Sequence, residues 1–265
     1  MTTLAAPTSP TRTPNASVRR TRAFRAHLGN EARLLLREPA ALIFGAVLPL
    51  AAIIVMTAIP GAREPLADFG GLSVVRTYLP VLVLFATSVL GLTVVPAILG
   101  GYRKDGILRR LRTTPAPPSA LLAALFVVVA VVGLVVAALL VAIPAVAGAG
   151  LPAHVAWFGL AAVLGLLAFL ALGTLLASLV RSPQAAAGIG NVIAAIMWFS
   201  AGLWLPRVFF PDWLVTLTDL TPGGAATQAM RDATLGVPPS WQPYVVLVAW
   251  TVAVAWWATR VFRWE

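Results

Sequence analysis

Few side chains in this sequence could do covalent chemistry. Among 265 residues there are nine acids, two histidines, a single lysine (Lys104) and no cysteine. His27 and His154 fall outside every long apolar run, and no acid, base or metal ligand clusters with either. Nucleophilic catalysis and a metal centre therefore lack the groups they need. Lys104 does not follow a glycine-rich phosphate loop, and no Gly-Lys-Ser or Gly-Lys-Thr occurs, so ATP hydrolysis by the P-loop route is excluded. What remains is recognition. Asn191 is the most polar residue inside the apolar runs, and with Phe85, Thr87, Ser88, Trp198, Ser200 and Trp204 it could line a cavity for an amphiphile. The same residues also fit plainer roles: an interhelical hydrogen bond for Asn191, worth about 1 kcal/mol in a membrane, and core packing or an interfacial belt for the aromatics.

The elements that must position these residues are six apolar stretches, at roughly 42–59, 77–101, 119–147, 155–180, 185–205 and 243–259. Each approaches or exceeds the length of about 20 residues that a spanning helix needs. None contains Asp, Glu, Lys, Arg or His, which weakens an ion-coupled carrier, because such carriers keep ionisable groups at membrane depth. With 60% hydrophobic and 11% charged residues and a mean hydropathy of +0.91, the chain reads as an all-α membrane protein. The segment 1–16, rich in Thr, Pro and Ala without periodicity, reads as a disordered tail, and 17–265 as a single membrane domain.

Charge sets the orientation. If both termini are cytoplasmic, Arg12, Arg19, Arg20, Arg22, Arg25, Arg33, Arg37, Arg103, Lys104, Arg109, Arg110, Arg112, Arg181, Arg260 and Arg263 lie inside, and only Arg63, Arg76, Arg207 and Arg231 lie outside. That division, fifteen and four of the nineteen, follows the positive-inside rule. Four acids inside and five outside leave +11 on the inner face and −1 on the outer, which sum to the net +10. The charge is a sidedness signal and not a nucleic-acid footprint.

Two basic segments on the inner side have structure of their own. Phe24, Leu28, Ala32 and Leu35 form one stripe at helical spacing, with Arg19, Arg22, Arg33 and Arg37 opposite, as in a helix lying at the membrane interface. Glu31 sits on that apolar stripe, so part of the stripe is expected to face protein. Between the second and third stretches, Ile107, Leu108 and Leu111 make the apolar edge of a short helix whose other edge is arginine, ended by Pro115, Pro117 and Pro118. That helix reads either as a docking surface or as a loop that only sets topology. In the fifth stretch Ala186, Gly190 and Ala194 recur every four residues, a small-residue face that permits close helix approach. Beyond it, Pro211 to Leu220 and Pro222 to Leu235 read as a short helical pair, re-entrant or surface-lying, with a break that Gly223 and Gly224 could make flexible.

Three stretches carry a family resemblance. Residues 101–126 (GYRKDGILRRLRTTPAPPSALLAALF) resemble the cytoplasmic loop of type-2 ABC exporter permeases. Residues 181–206 (RSPQAAAGIGNVIAAIMWFSAGLWLP) resemble the fifth span of the actinobacterial drug-exporter branch, and 209–236 (FFPDWLVTLTDLTPGGAATQAMRDATLG) its extracellular segment. The likeness covers most of 25–260 and implies a six-span subunit that dimerises over two separate ATPase subunits. It assigns Asp105, Gly106, Leu108, Arg109, Leu111, Arg112, Thr114 and Pro115 to a coupling helix over 103–115. It also makes the stripe from Phe24 to Pro39, with Glu31, Arg37 and Glu38, a second cytoplasmic contact. Many relatives carry Glu where Lys104 or Asp105 stands, so an acidic contact there would rest on Asp105 alone.

The expectation is thus the membrane subunit of an ATP-driven exporter of amphiphilic small molecules in a bacterial plasma membrane, with both termini cytoplasmic. It binds no cofactor or metal itself, since ATP and Mg belong to the partner ATPase. Its partners are two ATPase subunits, a second permease copy, the bilayer and the cargo. An ion-coupled carrier and an intramembrane enzyme are the rival readings.

Overall fold

The computed structural model describes residues 16–107, 110, 118–180 and 182–261. Helix α1, Ala16–Leu36, precedes the spans. Six segments are long and apolar enough to cross a membrane: Pro39–Ala58, Ala67–Lys104, Ser119–Ala149, Val155–Leu179, Pro183–Ala201 and Trp241–Val261. We number their helices α2 (Pro39–Ala58), α3 (74–104), α4 (118–149), α5 (Val155–Leu179), α6 (Pro183–Ala201) and α9 (Trp241–Val261). The short α7 (Asp212–Asp219) and α8 (Pro222–Leu235) precede the last. No strand occurs among the described residues, so the all-helical, six-span expectation holds. The expected tail lies outside the described residues except for Ala16, which opens α1.

Local chemistry fixes the helix ends. Ser73, Ser182 and Thr221 accept hydrogen bonds from the backbone N–H of Arg76, Ala185 and Gly224, and Pro183 and Pro222 follow two of these caps at the first helical position. Gly202 and Gly236, at φ +87° and +77°, end α6 and α8 in the left-handed conformation that a side chain would resist.

Three π-helical turns interrupt the spans among the described residues, and each adjoins a proline. Ile43–Val47 precedes Pro49, Val89–Val94 precedes Pro96, and Ala145–Ala149 follows Pro144. Proline supplies no N–H to the carbonyl four residues back, and a wider turn is one way for a helix to absorb the missing bond.

The turn in α3 is the centre of the bundle. The span holding α3 is 83% buried across its apolar window, against 17% for α9, so the other helices are arranged around α3. Backbone meets backbone on two sides of its turn. A Cβ on Gly173 of α5 would lie 1.9 Å from the Gly91 carbonyl oxygen, and one on Gly190 of α6 would lie 1.8 Å from that of Leu92. Pro96 is the residue that leaves the Leu92 carbonyl without its ordinary helical donor.

One core cluster fills the half of the bundle that holds α8 and includes Val83, Phe169, Ala194, Ala229 and Met230. A second, at the basic end, joins Leu35 of α1 to Leu99, Tyr102, Leu121 and Leu125. Helix α8 is inserted among α3, α5, α6 and α9, with Ala225, Ala226, Ala229, Met230 and Ala233 all buried; of the two expectations, re-entrant and surface-lying, this burial fits the first. Gly223 and Gly224 serve close approach here, because a Cβ on Gly223 would meet the carbonyl oxygen of Met197 at 2.8 Å and one on Gly224 that of Thr218 at 2.0 Å. Helix α7 keeps Trp213, Leu217 and Leu220 exposed along one edge.

Candidate functional site

A cleft of about 470 Å³ opens between α2, α3 and α6. Ala41 and Phe44 of α2 line one wall, Phe85, Val89, Thr93 and Ala97 of α3 another, and Asn191 and Trp198 of α6 the third. The walls are apolar apart from one pair, in which Thr93 Oγ1 donates to Asn191 Oδ1 at 2.8 Å. Thr93 belongs to the π turn of α3, so the same irregularity that lets α6 approach also carries this polar group to the cleft. Glu38, exposed just before α2, stands at the basic mouth.

Trp198 is held as a fixed wall. Its indole N–H donates to Ser88 Oγ at 2.8 Å, Ser88 donates in turn to the Phe85 carbonyl at 2.9 Å, and the Trp198 and Phe85 rings pack at 4.7 Å. The remaining expected pathway residues separate from these three. Ser88 is fully buried and acts on the cleft only through Trp198. Thr87 and Ser200 are 2% exposed and donate to the backbone carbonyls of Val83 and Ile196; neither lines the cleft, because a hydroxyl at membrane depth takes the nearest carbonyl of its own helix. Trp204 is exposed beyond the end of α6, edge-on to Trp198 at 6.4 Å.

Ala186, Gly190 and Ala194 are buried, and Gly190 packs against α3 of the same chain, as described above. Asn191 follows on the adjoining face, so one helix presents a packing face and a cleft face side by side.

At the basic end, Arg37 and Asp105 are exposed, and Gly106 (φ +68°) turns the chain out of α3. Leu108, Arg109, Leu111, Arg112, Thr114 and Pro115 lie outside the described residues, so the expected helix over 103–115 is described only at its start. Glu31 departs from the expected cytoplasmic contact: it is 1% exposed and accepts a hydrogen bond from the Tyr102 hydroxyl at 2.5 Å. Its carboxyl reaches α3 rather than a docking surface. Burial pushes its pKa up, and the Tyr102 bond only partly offsets this.

Sequence reasoning missed the polar fastenings at the opposite end. The buried Arg207 donates to the Gly224 carbonyl at 2.7 Å and pairs with Asp219. Arg63 and Arg76 donate to the carbonyls of Ala147 and Leu151. Beside them, burial pushes Asp232 up and, with nearby Arg207, pushes Arg231 down. A backbone carbonyl has no signature in sequence, so these pairings could not be read there.

Comparison with known proteins bears on this arrangement. The family model described as ABC-2 type transporter matches residues 22–235, which takes in α1, the cleft, the segment after α3 and the inserted α8. The chain belongs to the ABC-2 type transporter family. A relative in Bacillus subtilis (strain 168), named "Putative transport permease YvfS", is 34% identical over 96 residues. That alignment spans 35% of this chain and 37% of the relative, about a third of each. Membership accords with an ABC-2 permease that has six membrane-spanning helices.

Proposed function

We propose that the chain is the membrane subunit of an ATP-driven exporter that moves amphiphilic small molecules, drug-like or lipid-like, out of the cytoplasm or inner leaflet. Family membership and the charge bias support placing the basic end in the cytoplasm of a bacterial cell, with both termini on that side. The observation that carries the cargo reading is the cleft itself: apolar walls, one neutral polar pair and a fixed indole, with no ionisable group between Glu38 and its far end. Such a surface suits a molecule with a large apolar body and a few hydrogen-bonding groups. Two permease copies would face each other, and two separate ATPase subunits, which hold the ATP and Mg, would dock under α1 and the segment 103–115. Resemblance to the drug-exporter branch favours antibiotics or similar compounds among the amphiphiles.

The mechanism is alternating access. Approach of the ATPases on binding nucleotide pushes the basic end, tilts α3 and α6, and opens the opposite end of the cleft. The test is reconstitution with a partner ABC ATPase, following ATP-dependent movement of a fluorescent amphiphile across the vesicle membrane. Export should need both proteins. Trp198→Ala should lower it about tenfold while leaving complex recovery and basal hydrolysis intact. Export by the permease alone under an ion gradient would establish a secondary carrier instead.

A further inference from the structure

The last turn of α3 is held from two sides by adjacent residues. Tyr102 turns toward α1, where its hydroxyl meets the buried Glu31, and Arg103 turns toward α5, where its guanidinium donates to the Ala177 carbonyl near the end of that helix. Leu28, Ala32 and Leu35 of α1 pack in the same cluster as Tyr102, and so does Ile107, the first apolar residue after the turn at Gly106. The contact between α1 and the end of α3 thus joins apolar packing to one polar bond.

That bond is a costly choice if adhesion were all it supplied. A carboxyl that is 1% exposed gives up its hydration, and a leucine in the same stripe would bury without that penalty. What a single buried hydrogen bond adds over apolar packing is a fixed geometry, since oil-like contacts tolerate sliding and a carboxylate–hydroxyl pair does not. Along α3, Tyr102 is continuous with Thr93 and Phe85 of the cleft wall, and the π turn at Val89–Val94 lies between the two ends.

We propose that the Glu31–Tyr102 hydrogen bond is the joint that makes α1 and the last turn of α3 move as one body, so that a push on α1 reaches the cleft through α3. Glu31 is then a positioning residue that acts through Tyr102. In its link to ATP hydrolysis this rests on the transporter reading above; as a mechanical joint it does not.

The experiment therefore has two arms. In the permease alone, in nanodiscs, spin labels on Ala26→Cys and Lys104→Cys report the distance between α1 and the end of α3; both sites are exposed and the chain has no native cysteine. Glu31→Ala and Tyr102→Phe should each widen that distance distribution about twofold, by freeing the two bodies. Glu31→Gln, which keeps an acceptor, should leave it narrow, and a control pair on Ala67→Cys and Ser240→Cys should not change in any variant. An unchanged distribution in both Glu31→Ala and Tyr102→Phe overturns the joint.

In the complex with the ATPase, Tyr102→Phe should reduce the stimulation of ATP hydrolysis about fivefold at equal complex recovery, and Glu31→Ala/Tyr102→Phe should lose no more than the worse single variant. Full stimulation in Tyr102→Phe, or losses that multiply in the double variant, also overturns it. If the wild-type chain is stimulated by no ATPase, the transporter reading fails, and the distance arm still decides the joint.

Discussion

The two ends of this bundle put most of their arginines to different uses. At the end bearing α7 and α8, Arg63, Arg76 and Arg207 are tied to the carbonyls of Ala147, Leu151 and Gly224, and Arg207 is also paired with Asp219. At the basic end Arg103 is likewise tied, to the Ala177 carbonyl, but Arg25, Arg33 and Arg37 are exposed and donate no side-chain hydrogen bond among the described residues. The same guanidinium mostly closes one end and mostly decorates the other. At the first end, the Ala147 and Leu151 carbonyls lie at and just past the end of α4, where no helical donor follows, and arginine supplies one; Arg207 instead reaches a carbonyl in the first turn of α8. At the second, α1 packs its apolar stripe inward and leaves its charges to the surface, the arrangement of an end that meets something else.

The comparison breaks most decisively at Arg207. Arg207→Ala leaves Asp219 and the Gly224 carbonyl without their donor, and should cost about 3 kcal/mol, near the lower bound for disrupting a buried pair because Asp219 is partly exposed. Thermal unfolding of the detergent-solubilised permease would show it; a melting temperature equal to wild type would make the fastened end ordinary surface.

Gly190→Leu comes next. It drives a side chain into the Leu92 carbonyl and should cost about 1 to 3 kcal/mol by overpacking, with lost recovery of folded protein. Gly188→Leu, two residues away with open space around it, should be recovered like wild type. Equal recovery of both variants would mean that α6 does not meet α3 along this face.

Arg76→Ala removes a single partly exposed hydrogen bond and should cost about 1 kcal/mol, read by the same melt. A loss as large as that of Arg207→Ala would show that burial is not what separates the fastenings.

Glu31 gives a pH signature. Its folded-state pKa is raised above the ordinary 4.5, so the folded chain holds that proton more tightly than the unfolded chain does. Its contribution to stability is fully present below 4.5 and is lost as pH rises through the raised value. Glu31→Gln should flatten that part of the melting-temperature profile; an unaltered slope would assign it to another group.

The smallest effect on stability belongs to the basic end. Arg33→Gln with Arg37→Gln should leave the melt within about 0.5 kcal/mol of wild type, while weakening ATPase association in a salt-dependent way. Destabilisation comparable to that of Arg76→Ala would erase the contrast between the ends.

The six spans were legible because nothing else produces apolar runs of that length, but their ends shifted by several residues: the fifth stops at Ala201, where Gly202 turns left-handed, and the second extends over polar residues. Arg76 at one end of α3 and Tyr102 to Lys104 at the other look like loop, yet all are helical. Glu31 was legible as a misfit on its stripe, though the misfit said only that it faces protein, not that Tyr102 receives it. The insertion of α8 was hidden by Gln228, Arg231 and Asp232, which lower its apolar content, while its real signal was the run of glycine and alanine that lets other helices close around it. Of the expected cleft residues, Phe85, Asn191 and Trp198 line it and Thr87 and Ser200 do not, since facing depends on rotation about each helix axis. Three π turns alter that rotation, and although each adjoins a proline, a proline alone does not say how its helix will absorb the missing bond.

The most direct test of the account asks which end receives the ATPase. Hydrogen–deuterium exchange of the permease should be compared with and without its ATPase and nucleotide. Peptides over 24–38 and 103–115 should gain protection, while those over 211–236 keep the exchange they show in the free permease. Protection confined to 211–236, with no change at the basic end, would contradict it.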